Sequence, residues 1–254
     1  ISIMSPLFKG VQANDSKDLV NFIIMTLHNE LNRTSPTKSS TPNIDQTNEK
    51  DMLQAFFASF AKENRSIISD IFYLTFKTIT KCTKCNSIKY NFQTNFFLVF
   101  PLEEIRQYKI QRFQNLIMTN PVLFQQYSIM NQGNLQNINS VDFKDCFLYN
   151  QKQDYFTEEN AMYCNICKGT IPSYYQSFLY TCPEILVIIL NRGKGIEFNV
   201  KYEFQEYLNI FEYVQIKDVG YEYNLIGVVT HIGESGESGH FISFNKSPID
   251  QNWY

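Results

Sequence analysis

Residues 223–244 read YNLIGVVTHIGESGESGHFISF, and this stretch decides the fold. Its apolar and β-branched residues predict one strand over Tyr223 to His231 and another over Phe241 to Phe244. Between them, the loop from Gly233 to Gly239 contains three glycines and two acids and delivers His240 onto the second strand. A histidine in this place is either a general base or a structural residue. The glycine-rich approach favours the catalytic interpretation for His240.

The loop and the other two histidines have plainer interpretations. The loop is either an ordinary hairpin turn or a mobile gate over a substrate channel, and its glycines favour the gate. No such loop leads into His28 or His231, so we interpret both as structural residues.

The six cysteines predict a metal site. Cys82/Cys85 and Cys164/Cys167 form two C-x2-C pairs, and together these predict a tetrahedral four-sulfur site for Zn²⁺. Because residues 86–163 separate the pairs, the two knuckles should meet across a sheet and not along one hairpin. The alternatives for such pairs are buried thiols, a redox dithiol or disulfides, and a reducing compartment disfavours disulfides. A closed four-thiolate site has no place for water, so its metal would be structural.

The two remaining cysteines, Cys146 and Cys182, stand alone among apolar or strand-forming neighbours. We interpret both as buried small hydrophobic residues, with Cys182 at the start of a strand.

The N-terminal third is predicted to be helical. Apolar residues recur at helical spacing from Asp15 to Leu31, with Asp15 as N-cap and Asp18 three residues on as a shortened capping box. A second helix is predicted around Met52 to Phe60 and a short one over Ser66 to Tyr73. Residues 33–50 are polar, contain two prolines and predict a surface loop.

After Phe76 we expect helices largely to stop. The second half is rich in aromatic and β-branched residues and predicts mainly sheet. Besides the two strands above, strands are predicted over Phe92 to Phe100, Ser177 to Tyr180 and Ile185 to Leu190. Residues 103–139 are rich in Gln and Asn with weak periodicity and predict a variable excursion.

Composition narrows the class of protein. The chain has 254 residues, 44% of them hydrophobic, with 22 Phe and 16 Tyr, which is enough to bury a sizeable core. A net charge of −3 without a basic block disfavours nucleic acid, and no apolar run suggests a membrane span. We expect a soluble monomer inside the cell, in cytoplasm, nucleus or both. Both ends, at Ile1 and Tyr254, look cut.

The region around His240 resembles the histidine box of the ubiquitin-specific proteases. That box has a glycine-rich loop, Gly-His-Tyr, a strand and then a Trp-Tyr pair. This chain matches it with Gly239, His240, Phe241 in place of the tyrosine, and the pair Trp253-Tyr254. Further segments that look like the family's follow the same order: Val11 to Val20, Ser66 to Cys85, Tyr163 to Cys167 and Thr181 to Arg192.

The resemblance implies a single α+β domain of the papain-like cysteine protease fold. Residues 1–80 would form thumb helices, 81–180 mainly the zinc-binding β-stranded fingers and 181–254 mainly the palm sheet. The implied activity is hydrolysis of the isopeptide or peptide bond after the C-terminal glycine of ubiquitin, with ubiquitin as partner. His240 would be the general base. Asp15 and Asp18 would lie beside the channel for ubiquitin's Arg-containing tail, next to the gate that ends at Gly239.

Two family features are missing from this sequence. No segment resembles the Asn-Leu-Gly-Asn-Thr-Cys-Tyr box of the nucleophile, which would lie upstream of Asp15. The Asp or Asn that orients the histidine would follow Tyr254. We interpret both as truncation and expect residues 1–254 alone to be inactive. The alternatives are a catalytically inactive ubiquitin-binding scaffold of the same fold and, disfavoured by charge, a zinc-ribbon nucleic-acid binder.

Overall fold

The computed structural model describes residues 5–9, 15–34, 45–120, 138–193, 199–217, 220–235 and 238–254, together with Ile3 and Val122. Residues 11–14 of the predicted match over Val11 to Val20, and residues 35–44 of the predicted loop over 33–50, lie outside these residues. Within them, no helix is both long and apolar enough to cross a membrane.

Three N-terminal helices confirm the helical prediction. They are α1 (Ser16–Leu31), α2 (Glu49–Glu63) and α3 (Ile67–Phe72). Asp15 caps α1, and its Oδ1 accepts a hydrogen bond from the Lys17 backbone N–H at 2.9 Å. His28 is buried at the α1–α3 contact, where its Nδ1 lies 2.7 Å from Oγ of Ser66, the N-cap of α3. His28 therefore is structural, as predicted.

The central sheet has four antiparallel strands in the order β2-β1-β8-β5. Its strands are β1 (Leu74–Cys82), β2 (Ile88–Asn95), β5 (Gln153–Phe156) and β8 (Ser173–Thr181). Helix α2 covers one face, where the Phe56 and Phe92 ring centroids lie 6.0 Å apart. On the same face Lys77 pairs with Glu49 at 3.0 Å. Strand β1 pairs with β2 on one side and with β8 on the other along its length, so it is a central strand of the sheet.

The main hydrophobic core lies beside the base of this sheet. A parallel pair, β3 (Phe97–Pro101) and β9 (Val187–Asn191), borders it, and both strands are nearly continuous apolar runs, as is typical of parallel pairs. Phe100 and Phe147 meet there edge to face with ring centroids 5.5 Å apart. Strand β1 runs from this core to the cysteines. Its first residue, Leu74, is fully buried in the core, and its last residue, Cys82, lies at the far end.

Two helices on the core correct the expectation that helices largely stop after Phe76. They are α4 (Leu102–Thr119) and α5 (Phe143–Asn150), joined by an ion pair of 2.7 Å between Lys109 and Asp145. The prediction for residues 103–139 was wrong over α4. That helix buries Leu102, Ile105 and Ile110 but also exposes the apolar side chains of Leu116 and Met118, so its apolar residues do not mark a single face. Of residues 121–137, only Val122 is described.

The remaining described strands form short pairs. They are β4 (Ser140–Asp142) with β10 (Lys201–Glu203), β6 (Met162–Cys164) with β7 (Gly169–Ile171), β11 (Tyr207–Asn209) with β12 (Glu222–Asn224), and β13 (Gly227–Ser235) with β14 (Ser238–Asn245). Short 3-10 turns cover Pro6–Phe8, Glu158–Asn160 and Phe211–Tyr213. The predicted strands are confirmed, with a break at Phe96 that divides Phe92 to Phe100 between β2 and β3, and another that separates β12 from β13.

Candidate functional site

Four cysteines converge at the end of the sheet far from the core. The ligand atoms of Cys82, Cys85, Cys164 and Cys167 all lie within 4.8 Å of one another. The Sγ atoms are 3.9 Å apart for Cys82 and Cys167 and 3.6 Å apart for Cys85 and Cys164. Tetrahedral Zn–S bonds of about 2.3 Å require S–S edges of about 3.8 Å, whereas a disulfide needs about 2.05 Å. The cluster therefore has the dimensions of a metal site and not of two disulfides.

The sheet brings the two knuckles together. Cys82 ends β1 and opens the β1–β2 hairpin, whereas Cys164 ends β6 and opens the β6–β7 hairpin. These hairpins meet because β1 pairs with β8 up to Cys82 opposite Ser173. Just beyond, the Thr83 backbone N–H donates to the carbonyl of Pro172 at 3.1 Å. The prediction that the knuckles meet across a sheet is confirmed.

Local turns aim the sulfurs inward. In each knuckle the residue after the second cysteine, Asn86 or Lys168, has a left-handed backbone with φ of 56° or 55°. The backbone N–H of Cys167 donates to Sγ of Cys164 at 3.5 Å, and this bond is the main reason that the pKa of Cys164 is lowered to about 6. Burial and the neighbouring sulfurs raise the pKa of Cys167 to about 12. The lowered pKa of Cys164 favours its thiolate form even without a metal. A crowded group of four sulfurs of this kind suits a divalent cation that prefers thiolate ligands.

Ser87 is a member of this cluster that sequence reasoning missed. Its Oγ lies 3.0 Å from Sγ of Cys85 and 3.6 Å from Sγ of Cys164. The hydroxyl is the largest cause of the lowered pKa of Cys85. The only hint in the sequence was a small polar residue two positions after the second cysteine of the first pair. Its contact with the sulfurs depends on the hairpin turn, which brings Ser87 back towards them.

The two lone cysteines are removed from solvent to different extents, and both have a raised pKa. Cys146 on α5 is fully buried, and burial raises its pKa to about 12. Cys182 is half-buried directly after β8, not at the start of a strand, and burial likewise raises its pKa to about 12. Both are protonated at neutral pH, so neither has the character of an activated nucleophile.

His240 is exposed on β14, two residues after that strand begins, and pairs with Ile232 across the β13–β14 ribbon. Gly239 precedes it with φ of +156°. The strand that carries the predicted histidine is therefore confirmed, whereas residues 236 and 237 of the predicted gate lie outside the described part of the chain. At the end of β14, Asn245 and Tyr254 exchange two backbone hydrogen bonds of 3.0 Å.

Asp15 is the N-cap of α1 and Asp18 lies in its first turn, so both are on a different element from His240. Asp15 is exposed and Asp18 half-buried. Besides capping the helix, Asp15 lies 3.6 Å from Nζ of Lys17. The capping bond is thus a sufficient structural reason for an aspartate at position 15, and the rest of its carboxylate remains exposed to solvent.

Comparison with known proteins identifies the family. The sequence model of the ubiquitin carboxyl-terminal hydrolases matches residues 1–254. The chain belongs to this family. The ubiquitin carboxyl-terminal hydrolases 2 of Bos taurus and of Homo sapiens are each 22% identical over 258 residues, which cover 98% of this chain and 37% of the relative.

Solved structures support the same family fold. A SAGA DUB module of Ubp8, Sgf11, Sus1 and Sgf73 bound to monoubiquitin aligns with a TM-score of 0.62 at 17% identity. The alignment covers 99% of this chain and 45% of that chain. The predicted family and the predicted α+β fold of its catalytic domains are confirmed. The chain spans less than half the length of each of these three proteins.

Proposed function

We propose that the protein is a thiol-dependent deubiquitinase that cleaves the isopeptide or peptide bond after the C-terminal glycine of ubiquitin. The observation that carries this proposal is the exposed His240 on β14, preceded by Gly239 and the end of a glycine-containing loop, in a chain of the ubiquitin carboxyl-terminal hydrolase family. The SAGA DUB module with the same fold is bound to monoubiquitin, which supports ubiquitin as the partner.

In this mechanism His240 moves the proton. A cysteine upstream of Ile1 attacks the carbonyl carbon, and the His240 imidazole takes the proton of that thiol. The imidazole then returns a proton to the leaving lysine amine, and a water molecule hydrolyses the resulting thioester. The exposure of His240 supports this role, because the side chain must be accessible to both the thiol and the leaving amine.

The orienting member of the triad is proposed to follow Tyr254. The segment that ends at Tyr254 runs antiparallel beside β14 and is held there by the paired bonds to Asn245. A chain that continues in this register would run beside β14 towards His240. An Asp or Asn on it could then accept a hydrogen bond from the imidazole and fix its tautomer.

We further propose that Cys82, Cys85, Cys164 and Cys167 hold one structural Zn²⁺. The sulfur separations and the donor chemistry fit the ion. Bound there, zinc would join the two hairpins that lie beyond the ends of β1 and β8. With four thiolates and no open position, it would take no part in hydrolysis.

Substrate contacts are proposed at the acidic turn and the gate loop. Asp15 and Asp18 would pair with the Arg-containing tail of ubiquitin, since an exposed carboxylate and a guanidinium form strong charge-assisted hydrogen bonds. The loop that ends at Gly239 would close over the extended tail. Residues 1–80, 81–180 and 181–254 would act as thumb, fingers and palm of a monomer inside the cell.

The test uses the full-length protein. We expect it to release a fluorophore from a ubiquitin C-terminal amide and to form a covalent adduct with a ubiquitin C-terminal electrophile. Binding of ubiquitin without either reaction would favour the alternative, an inactive ubiquitin-binding scaffold. Failure to bind or cleave ubiquitin would contradict both proposals.

A further inference from the structure

The imidazole of His231 packs against the backbone of Gly239, the residue before His240. A Cβ atom built on Gly239 would lie 2.3 Å from Nε2 of His231 and 2.3 Å from the carbonyl oxygen of Ile232, far inside van der Waals contact. Its φ of +156° is also one that L side chains rarely adopt. The His231 ring therefore fills the space that any larger residue would need at position 239.

The same ring also contacts the residue after His240. His231 and Phe241 are cross-strand partners, and their rings meet edge to face with centroids 4.9 Å apart and an interplanar angle of 60°. Nδ1 of His231 is buried. One side chain of β13 thus contacts both neighbours of His240 in β14.

His240 itself lies on the opposite face of the ribbon. Successive residues of a strand alternate between faces, so His240 and its partner Ile232 share one face. His231, Gly239 and Phe241 share the other. Since the two imidazoles lie on opposite faces, His231 acts on His240 through the backbone of β14.

We propose that His231 is a positioning residue for the general base. This inference rests on the proposed function, in which His240 must meet both a thiol and a leaving amine. The His231 ring, held between Gly239 and Phe241, fixes the backbone on both sides of His240 and so fixes the origin and direction of its side chain. Without the ring, the space that it fills beside Gly239 becomes open, and the backbone of Gly239 can use the wide φ range of glycine. A displacement of about 1 Å at a reacting group can cost about 10²-fold in rate.

The experiment compares His231→Ala, His231→Gln and Val229→Ala in the full-length protein. The planar amide of Gln reaches about as far as Nε2 of histidine, so it restores much of the packing. Val229 is the matched control because it lies on the same face of β13, two residues before His231, and is 51% exposed.

We expect His231→Ala to lower kcat on a ubiquitin-amide substrate about 10- to 100-fold, with KM within about twofold of wild type, because the general base acts in the chemical step and the proposed acidic contacts to the ubiquitin tail lie on α1. The acid limb of the pH profile of kcat/KM should move in this variant. His231→Gln should recover most of the lost rate, and Val229→Ala should behave as wild type in both readouts. Equal losses in all three variants, or a loss confined to KM, would overturn the proposal.

An NMR readout separates this proposal from the proposed function. With isotope-labelled histidine, the His240 ring resonances should shift or broaden in His231→Ala and stay in place in Val229→Ala, whether or not the protein turns over. Unchanged His240 resonances in a folded His231→Ala variant would refute the positioning role even in an active enzyme. An inactive wild type would refute the proposed function alone.

Discussion

Lys77 of β1 is only 7% exposed, and its Nζ lies 3.0 Å from Oε1 of Glu49, the first residue of α2. The same ammonium lies 5.8 Å from the ring centroid of Phe178. A buried ammonium needs a partner, because its desolvation is otherwise uncompensated. This pair therefore ties the helix to the sheet that carries the cysteine cluster.

We expect Glu49→Ala to destabilise the protein by about 1–2 kcal/mol, below the value for a fully buried pair because Glu49 is 41% exposed. Lys77→Met in the Glu49→Ala background should restore much of this loss, since it removes the unpaired charge and keeps the packing. Urea unfolding curves of both variants measure the difference. No gain from Lys77→Met would mean that the ammonium remains hydrated after Glu49 is removed.

Protein purified without chelator should contain one zinc per chain by elemental analysis. Cys164→Ser should lower that content and the thermal stability of the β1–β2 and β6–β7 hairpins, because metal binding and local folding are coupled. Lys84→Ser, an exposed position within the first knuckle, is the control and should keep the zinc. Zinc near zero in the wild type would contradict the proposed site.

A protein of residues 1–254 alone should not react with a ubiquitin C-terminal electrophile. Its four clustered cysteines would be occupied by the proposed zinc, and the thiols of Cys146 and Cys182 should stay protonated because burial raises the pKa of each to about 12. Mass spectrometry after incubation decides this, with the full-length protein as the reacting control. An adduct on either lone cysteine would show that the nucleophile lies within this chain.

His240→Ala in the full-length protein should lower kcat by at least about 10²–10⁴-fold, the usual contribution of a positioned proton-transfer group. Ubiquitin affinity and thermal stability should change little, because His240 is exposed and contributes little to packing. Steady-state kinetics and ubiquitin titration measure the two effects. Near-normal turnover, or a larger loss from His231→Ala than from His240→Ala, would require another general base.

Asp15→Ser separates the capping role of this residue from its proposed substrate role. Serine caps a helix about as well as aspartate, so the stability of α1 should be retained. Loss of the carboxylate should raise KM for ubiquitin-amide severalfold, and more so at low salt where charge attraction is strongest. Asn48→Ser, the same type of change at the N-cap of α2, is the control. An unchanged KM at low salt would leave Asp15 with capping alone.

The features that could be predicted from sequence are those encoded by local spacing. Two C-x2-C pairs indicated the four metal ligands, and the helical period after Asp15 indicated α1 with its cap. In both cases neighbouring residues define the geometry. The glycine loop before His240 similarly indicated which histidine stands exposed on a strand.

The features that could not be predicted depend on the register of strand pairing or on apolar residues that are only partly buried. Helix α4 buries only three of its 18 residues and exposes others that are apolar, such as Leu116 and Met118, so its sequence does not show one clear apolar face. The contact between His231 and Gly239 exists only because Ile232 pairs with His240, and a shift of one residue would reverse the faces. The approach of Ser87 to Cys164 likewise needs two hairpins that are joined through β8.

The distance along the chain between the two knuckles has a consequence for the order of folding. Cys85 and Cys164 are 79 residues apart, whereas β1 and β2 form a local hairpin. Closing the long loop costs more chain entropy than closing the short one, so the first knuckle should form early and the second should join it only after β8 has docked on β1. Capture of the proposed zinc would then be a late event that stabilises the slowest-forming strand pairing. A newly made chain short of zinc would stall with an open sheet edge at β1, the state most exposed to aggregation.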